Sequence, residues 1–260
     1  MDLKGKRIVV TGASSGIGLR FTQRMIKAGA RVIGVSRNKK DLEKLFGDTI
    51  LPVECDVSKK EDIDRLFDIA EEYFGDIDIF VANAGFAYYG KIGAPDWDRN
   101  KKIFDTNVMS PIYTLQKLTY EKKNPVTFVL TISALGKMVL PGFTLYDSTK
   151  FALDGFIRTY RMEKPKHVRV MPVYPVATFT NFWKRADDAV MPFPPNTAGY
   201  VAWHMEQGLK FGARSVYPSL AFLIRCLIQR VLPVDLAVQG IERIRYKAWL
   251  KRHGQYEKQD

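Results

Sequence analysis

The 260-residue sequence predicts an α/β fold built on a doubly wound parallel sheet. Three observations carry that expectation. Short apolar runs alternate with amphipathic helical stretches along most of the chain, the pattern of parallel strands joined by crossover helices. The first such run, Ile8-Val9-Val10, reads as a buried strand, as parallel strands covered on both faces do. That run leads into Thr11-Gly12-Ala13-Ser14-Ser15-Gly16-Ile17-Gly18 and then a helical pattern through Phe21, Met25 and Ala28. A strand, a glycine-rich turn and a helix start bring backbone N–H groups and the helix dipole to bear on one point, which suits a pyrophosphate.

Composition narrows the function classes. Apolar residues make up 46%, ordinary for a globular chain, and the formal net charge is +12. That charge fits a phosphate-bearing cofactor or an acidic partner, and no nucleic-acid motif accompanies it, so no nucleic-acid partner is expected. The two cysteines, Cys55 and Cys226, and the three histidines show no metal-ligand spacing, and no metal is expected. Lys4-Gly5-Lys6-Arg7 runs straight into the first strand, and no uncharged apolar run is long enough to span a bilayer. The expected location is the reducing cytoplasm, with peripheral contact at the inner membrane face as an option.

Taken in order, Arg31 to Val35 forms a second strand that ends in Ser36-Arg37-Asn38, with Lys39 and Lys40 beyond. An acid at that strand end would bond the free 2′-hydroxyl of NAD, whereas a neutral Ser36 beside a cationic Arg37 suits a 2′-phosphate; NADP(H) is therefore preferred over NAD(H). Leu51 to Cys55 is a third strand, closed by Asp56-Val57, where Asp56 either contacts the adenine or caps a helix starting near Ser58. A helical pattern carries Ile63, Leu66, Phe67, Ala70 and Phe74. Ile77 to Ala82 is a fourth strand, and the sharp Asn83-Ala84-Gly85 turn after it falls where doubly wound sheets bind ligands. A long helix is expected from about Trp97 to Glu121, with Asn107 in its interior; a buried amide there must pair with backbone or with a functional group.

The stretch from Val126 to Lys150 is the chemical centre. An apolar strand, Val126 to Ile132, ends in Ser133, and a helix then begins with Tyr146 and Lys150 four residues apart. That spacing stacks a phenol and an ammonium on one helix face, so the phenol is expected to titrate below its usual value of about 10. A phenol so tuned exchanges a proton near neutral pH, with Ser133 holding a substrate oxygen beside it. A sixth strand, Val168 to Tyr174, a helix from Thr197 to Phe211 and a last short strand from Arg214 to Tyr217 follow.

With these residues in view, the chain resembles the compact short-chain dehydrogenase/reductases over about residues 5 to 185. The matching positions are Thr11 to Gly18, Asp56, Asn83-Ala84-Gly85, Asn107, Ser133, Tyr146 and Lys150. The resemblance implies a Rossmann-type seven-stranded sheet of order 3-2-1-4-5-6-7. It also implies a catalytic tetrad of Asn107, Ser133, Tyr146 and Lys150, in which Lys150 also holds the nicotinamide ribose and Asn107 positions a water leading to solvent. Cofactor contacts are expected from Gly12, Ser14, Ser15, Gly16, Ile17, Gly18, Arg37, Asp56, Val57, Asn83, Ala84, Gly85, Tyr146, Lys150, Pro175, Thr178 and Thr180. The family's Pro-Gly after the sixth strand is replaced by Pro175-Val176. A β-branched residue disfavours positive φ, which puts the local backbone shape in question.

The substrate side is expected from a loop over about residues 178–200, with Leu140, Phe143, Phe179, Phe182 and Trp183 as wall residues and Met191 and Phe193 nearby. Residues 1–217 are read as the cofactor-binding and catalytic domain, and 218–260 as a basic, amphipathic helical tail. In the tail, Leu220, Leu223, Ile224, Leu227, Ile228 and Val231 make an apolar stripe, while Arg225 and Arg230 exclude a simple membrane span. The tail either packs on its own domain or a second subunit, or lies on an anionic membrane. The expected activity is NADP(H)-dependent interconversion of a carbonyl and its secondary alcohol, on a lipophilic substrate such as a long-chain keto lipid or a steroid, in a homodimer or homotetramer. A small sugar or polyol substrate, and a non-catalytic cofactor-binding interaction protein, are the alternatives.

Overall fold

The computed structural model describes residues 1–180, 195–229 and 235–252. Phe182, Trp183, Met191, Phe193, Arg230 and Val231, singled out from the sequence, lie outside the described residues.

Strand β1 (Arg7–Thr11) pairs in parallel with β2 (Arg31–Ser36) on one side and β4 (Ile79–Ala82) on the other. With β3 (Leu51–Glu54), β5 (Val126–Thr131) and β6 (Val168–Val173), the sheet runs β3-β2-β1-β4-β5-β6. The order reverses between β1 and β4, so a crevice opens there at the C-terminal strand ends. The seventh strand expected over Arg214 to Tyr217 shrinks to a single parallel bridge between Val216 and Val173. Val216 N donates to the Pro172 carbonyl at 3.0 Å, and the Val216 carbonyl accepts from Tyr174 N at 2.9 Å. The ladder goes no further because Pro172 has no N–H to offer the carbonyl of residue 214, which takes the Arg161 guanidinium instead. A separate two-residue pair joins β7 (Thr178–Phe179) to β8 (Asn196–Thr197).

Successive strand residues point to opposite faces, and each face is covered by helices. On one face Val9, Phe80, Phe128 and Val170 pack against α3 (Lys60–Phe74), α5 (Ser110–Tyr120) and α6 (Thr144–Glu163). On the other, Ile8, Val10, Ile79, Val129 and Met171 meet α1 (Gly16–Lys27), α2 (Lys39–Phe46) and α7 (Ala198–Lys210). Burial of this kind, at about 25 cal/mol per Å² of apolar surface, is what fixes the register of the sheet.

The long helix expected around Asn107 is interrupted. α4 (Trp97–Phe104) passes through a wider π-helical turn, Asp105–Met109, before α5 begins. Such turns widen the backbone to accommodate a functional or strained residue, and Asn107 occupies this one.

The tail folds back on the body. α8 (Leu220–Ile228) buries Phe222, whose ring lies 6.2 Å from that of Tyr217. α9 (Asp235–Arg252) buries Trp249, with its ring 4.8 Å from that of Tyr89; Tyr89 in turn lies 4.8 Å from Phe143. The α8 stripe read from the sequence turns outward: Leu220, Ile224, Leu227 and Ile228 are exposed, and the flank carrying Phe222 faces in. Among the described residues no helix is long and apolar enough to cross a membrane.

Candidate active site

Six strand ends converge on one cavity of about 570 Å³. At the end of β1, Gly12 adopts φ 68°, and a Cβ there would stand 3.1 Å from the Ala84 Cα, so the turn after β1 and the turn after β4 touch. Thr11 ties them: its hydroxyl donates to the Val81 carbonyl at 3.2 Å and accepts from Asn83 N at 3.0 Å and Ala84 N at 3.1 Å. Gly18 does not line the cavity. It lies beneath the turn, where a Cβ would fall 2.2 Å from the Gly12 carbonyl oxygen. Its role is to let α1 approach the turn, which leaves a cradle shaped for a pyrophosphate.

Of the expected cofactor residues, Gly12, Ser14, Ser15, Gly16 and Ile17 line this cavity, as do Arg37, Asp56 and Val57 at the ends of β2 and β3. Asn83, Ala84, Gly85, Pro175, Thr178 and Thr180 line it from the ends of β4 and β6. Thr180 reaches across to the glycine turn, within 3.1 Å of where a Gly16 Cβ would sit. Asp56 does not cap α3, whose N-cap is Lys59; its carboxylate accepts instead from Ser58 N at 3.1 Å and the Ser58 hydroxyl at 2.7 Å. Val176 lines the cavity without a positive φ, so the absent family glycine costs the backbone nothing there. The set fits a dinucleotide: glycines where side chains would clash, the Arg37 cation at the β2 end and a groove continuous with the residues described next.

The tetrad expected from the sequence comes together. The Tyr146 hydroxyl is hydrogen-bonded to Ser133, and the Ser133 Oγ also accepts from Leu135 N at 3.1 Å. Lys150 Nζ lies 5.4 Å from the Tyr146 ring centroid and donates to the Thr131 carbonyl at 3.2 Å. Asn107 is buried and fully engaged: its Nδ2 donates to the Phe86 carbonyl at 2.9 Å and to Thr149 Oγ1 at 3.2 Å, and its Oδ1 accepts from Phe86 N at 3.1 Å. The amide thus pins the turn after β4 to α6, the helix that carries Tyr146 and Lys150.

One electrostatic expectation is corrected. The phenol of Tyr146 does not titrate below its usual range; burial pushes it up, and the Ser133 hydrogen bond only partly offsets this. The same burial brings Lys150 down to about 7. Desolvation of a buried group amounts to several pH units and exceeds the pull of a neighbour that is itself losing its charge.

The wall on the substrate side is only partly the one expected. Leu140 and Phe143 line the cavity, and Phe143 packs 6.1 Å from the Tyr146 ring. Phe179 does not; strand alternation in β7 turns Thr178 inward and leaves Phe179 58% exposed. Leu135, Met138, Phe222 and Arg225 complete the wall. Phe222 carried no sequence signal, and Arg225 only that of a charge excluding a simple membrane span.

Asp147 was not singled out from the sequence. It is buried beside Tyr146, its Oδ2 accepts from Leu140 N at 2.9 Å, and its Oδ1 is buried with no hydrogen-bond partner among the described residues. Burial raises this carboxyl to about 8, with the Leu140 bond opposing. A folded-state pKa raised from 3.8 to about 8 gives a contribution to stability that is whole below pH 3.8 and is lost as pH rises through about 8. Asp147→Asn keeps the Leu140 bond and removes the titration. Its melting temperature is expected to match the parent near pH 4 and to exceed it by several degrees at pH 8; a constant difference across that range would remove Asp147 as the titrating group.

Known proteins share this framework. The short chain dehydrogenase family model matches residues 6–190. Farnesol dehydrogenase of Aedes aegypti is 34% identical over 172 residues, covering 61% of this chain and 70% of that protein. The 3-ketodihydrosphingosine reductase of Mus musculus is 33% identical over 194 residues, 69% of this chain and 58% of that protein. An alcohol dehydrogenase of Thermococcus sibiricus, solved with 5-hydroxy-NADP, shares the fold with a TM-score of 0.72 at 24% identity, over 82% of this chain and 95% of that one. Glycine turn, strand order and family match agree: the chain belongs to the short-chain dehydrogenase/reductases, oxidoreductases that interconvert CH–OH and C=O groups.

Proposed function

We propose that the protein is an NADP(H)-dependent reductase of a lipophilic carbonyl compound, running in reverse as a dehydrogenase of the matching secondary alcohol. One juxtaposition carries the reading: a buried phenol, bonded to Ser133 and overlain by Lys150, in a cavity continuous with the glycine turn. Gly12, Ser14, Ser15, Gly16 and Ile17 would hold the pyrophosphate, and Arg37 beside Ser36 would meet a 2′-phosphate. Asp56 and Val57 would meet the adenine. Asn83, Ala84, Gly85, Pro175, Thr178 and Thr180 would flank the nicotinamide half. When bound, the nicotinamide supplies or accepts the hydride.

The chain's own residues handle the proton. Tyr146 gives its hydroxyl proton to the substrate oxygen, which Ser133 holds by a hydrogen bond. A phenol kept protonated by burial suits this direction of transfer. Lys150, as its ammonium, stabilises the phenolate left behind, and Asn107, bonded to Phe86 and Thr149, holds the helix that carries both against the turn after β4. Leu135, Leu140, Phe143 and Phe222 favour an apolar substrate, as do the names of the two curated relatives. The test is NADPH oxidation across ketones graded in chain length and polarity, with NADH alongside. Turnover rising with chain length and favouring NADPH is expected; turnover of sugars alone, or none with any ketone, would overturn the reading.

Two surface features favour finer readings. Exposed Met109, Tyr120, Phe151 and Met162 on and beside α5 and α6 suit a homodimer or homotetramer. Exposed Leu220, Ile224, Leu227 and Ile228 on α8, with Lys247, Lys251 and Arg252 exposed on α9, suit peripheral contact with an anionic membrane. Because Phe222 and Trp249 are core residues, surface substitutions test this better than truncation. The pair Ile224→Glu and Leu227→Glu is expected to abolish co-flotation with anionic liposomes; unchanged flotation would exclude α8 from the contact.

A further inference from the structure

Helix α6 does more than carry Tyr146 and Lys150. One turn beyond Lys150, Asp154 is buried, and its carboxylate holds the two neighbouring strand ends behind the cavity wall. From the loop after β5, Lys137 Nζ lies 3.1 Å from Oδ1 and 3.3 Å from Oδ2. From the end of β6, the Tyr174 hydroxyl donates to Oδ1 at 2.6 Å. Lys137 Nζ also stands over the Tyr174 ring, 4.7 Å from its centroid, so the three side chains close on one another. A fourth member, Arg158, lies on α6 itself, 2.8 Å from Oδ2, and is mostly exposed.

Both cross-element partners are a short step from the chemistry. Lys137 closes the turn that starts at Ser133, whose carbonyl accepts from Gly136 N at 3.1 Å. Tyr174 precedes Pro175, which lines the cavity and whose carbonyl accepts from Ala134 N at 2.8 Å. Asp154 therefore completes a circuit: from α6 to Lys137, along the turn to Ala134, across to Pro175 and back through Tyr174. Gly136 marks how tightly the circuit is drawn, since a Cβ there would stand 2.9 Å from the Lys150 carbonyl oxygen. A buried carboxylate costs free energy unless charges and hydrogen bonds match it; once matched, it sets the spacing of the groups it bonds. We infer that Asp154 is a positioning residue, which fixes Ser133 and Pro175 relative to Tyr146 and Lys150 without touching substrate or cofactor. This rests on the reductase reading and adds a residue to that same site.

The test uses the full chain, NADPH and any ketone that the parent reduces. Rates are counted per NADPH-binding site, titrated by fluorescence, so molecules that fail to fold drop out of the ratio. In Asp154→Asn the amide still accepts from Tyr174 but has no charge for Lys137. Its kcat per site is expected to fall on the order of tenfold, since a misplacement of about 1 Å costs roughly a hundredfold, while KM and NADPH affinity shift less than about threefold. Lys137→Met is expected to lose about as much, and the double variant no more than the worse single, as the two ends of one link do. Arg158→Gln takes away the exposed neighbour on the same helix and is expected to leave the rate near the parent's. Tyr174→Phe removes only a hydroxyl, and its ring keeps the stack on Tyr217, 4.8 Å away. A fall of kcat per site in that variant and in Lys137→Met carries the test if Asp154→Asn does not fold. Parent rates per site in Asp154→Asn, or in both Lys137→Met and Tyr174→Phe, assign the carboxylate to stability alone and overturn the positioning role. Losses that multiply in the double variant, or an equal loss in Arg158→Gln, overturn it as well; all of these leave the reductase intact. A parent that reduces no ketone overturns the reductase reading, and the positioning role with it.

Discussion

Tyr146→Phe is expected to lower NADPH-dependent carbonyl reduction by roughly a hundred- to ten-thousandfold, the range that a positioned acid contributes. The variant removes one oxygen and little else. The ring keeps its place against Phe143, 6.1 Å away, and beneath Lys150, so the fold and the groove that runs to the glycine turn persist. What disappears is the hydroxyl bonded to Ser133, which is the proton the substrate oxygen must receive. NADPH affinity should therefore change less than threefold or so, and the loss should fall on kcat. Stopped-flow or steady-state turnover beside a fluorescence titration of NADPH checks both halves. Turnover at the parent rate would take the phenol out of the chemistry; loss of NADPH binding together with turnover would assign it a structural role instead.

The second large effect lies at Gly18. A methyl group there would stand 2.2 Å from the Gly12 carbonyl oxygen and 2.7 Å from Asn83 Nδ2. Neither is a flexible side-chain tip that can yield: one is backbone, and Asn83 Nδ2 is held by the Thr11 carbonyl at 3.2 Å. In Gly18→Ala, α1 must move off the turn, which opens the cradle of N–H groups. Overpacking of this kind costs about 1–3 kcal/mol, so NADPH affinity should weaken tenfold or more and the melting temperature should drop by several degrees. Gly155→Ala is a control on another helix, where nothing stands within 4 Å of the added carbon. If Gly18→Ala binds NADPH as the parent does, the close contact of α1 with the turn is not what shapes the site.

Much of this architecture was legible in the sequence, because it depends on local patterns. Ile8-Val9-Val10 before a glycine turn, and the strand before Ser133, announce themselves within a dozen residues; parallel pairing follows from the alternation of strands and helices, and the order of the sheet only from the family resemblance those motifs carry. What was hidden depends on partners distant in the chain. The bridge at Val216 stops after one residue because of Pro172 on the facing strand. The direction in which Tyr146 and Lys150 shift depends on how deeply other elements bury them, and spacing along a helix says nothing of that. Asp147 looked like one more helical acid until its neighbours were known. Arg225 said only that the segment is no simple membrane span; which flank of α8 is buried depends on Phe222, whose partner Tyr217 no helical spacing reveals.

The way α8 and α9 reach back has a bearing on assembly. Trp249 closes on Tyr89, and Phe222 on the strand ends beside Ile132, each across a long stretch of intervening chain. Closing such loops is entropically slow, so the wall beside Phe143 is finished after the glycine turn has formed. Selection among substrates is thus a late acquisition of the folding molecule, and gentle warming should forfeit it before the grip on the dinucleotide.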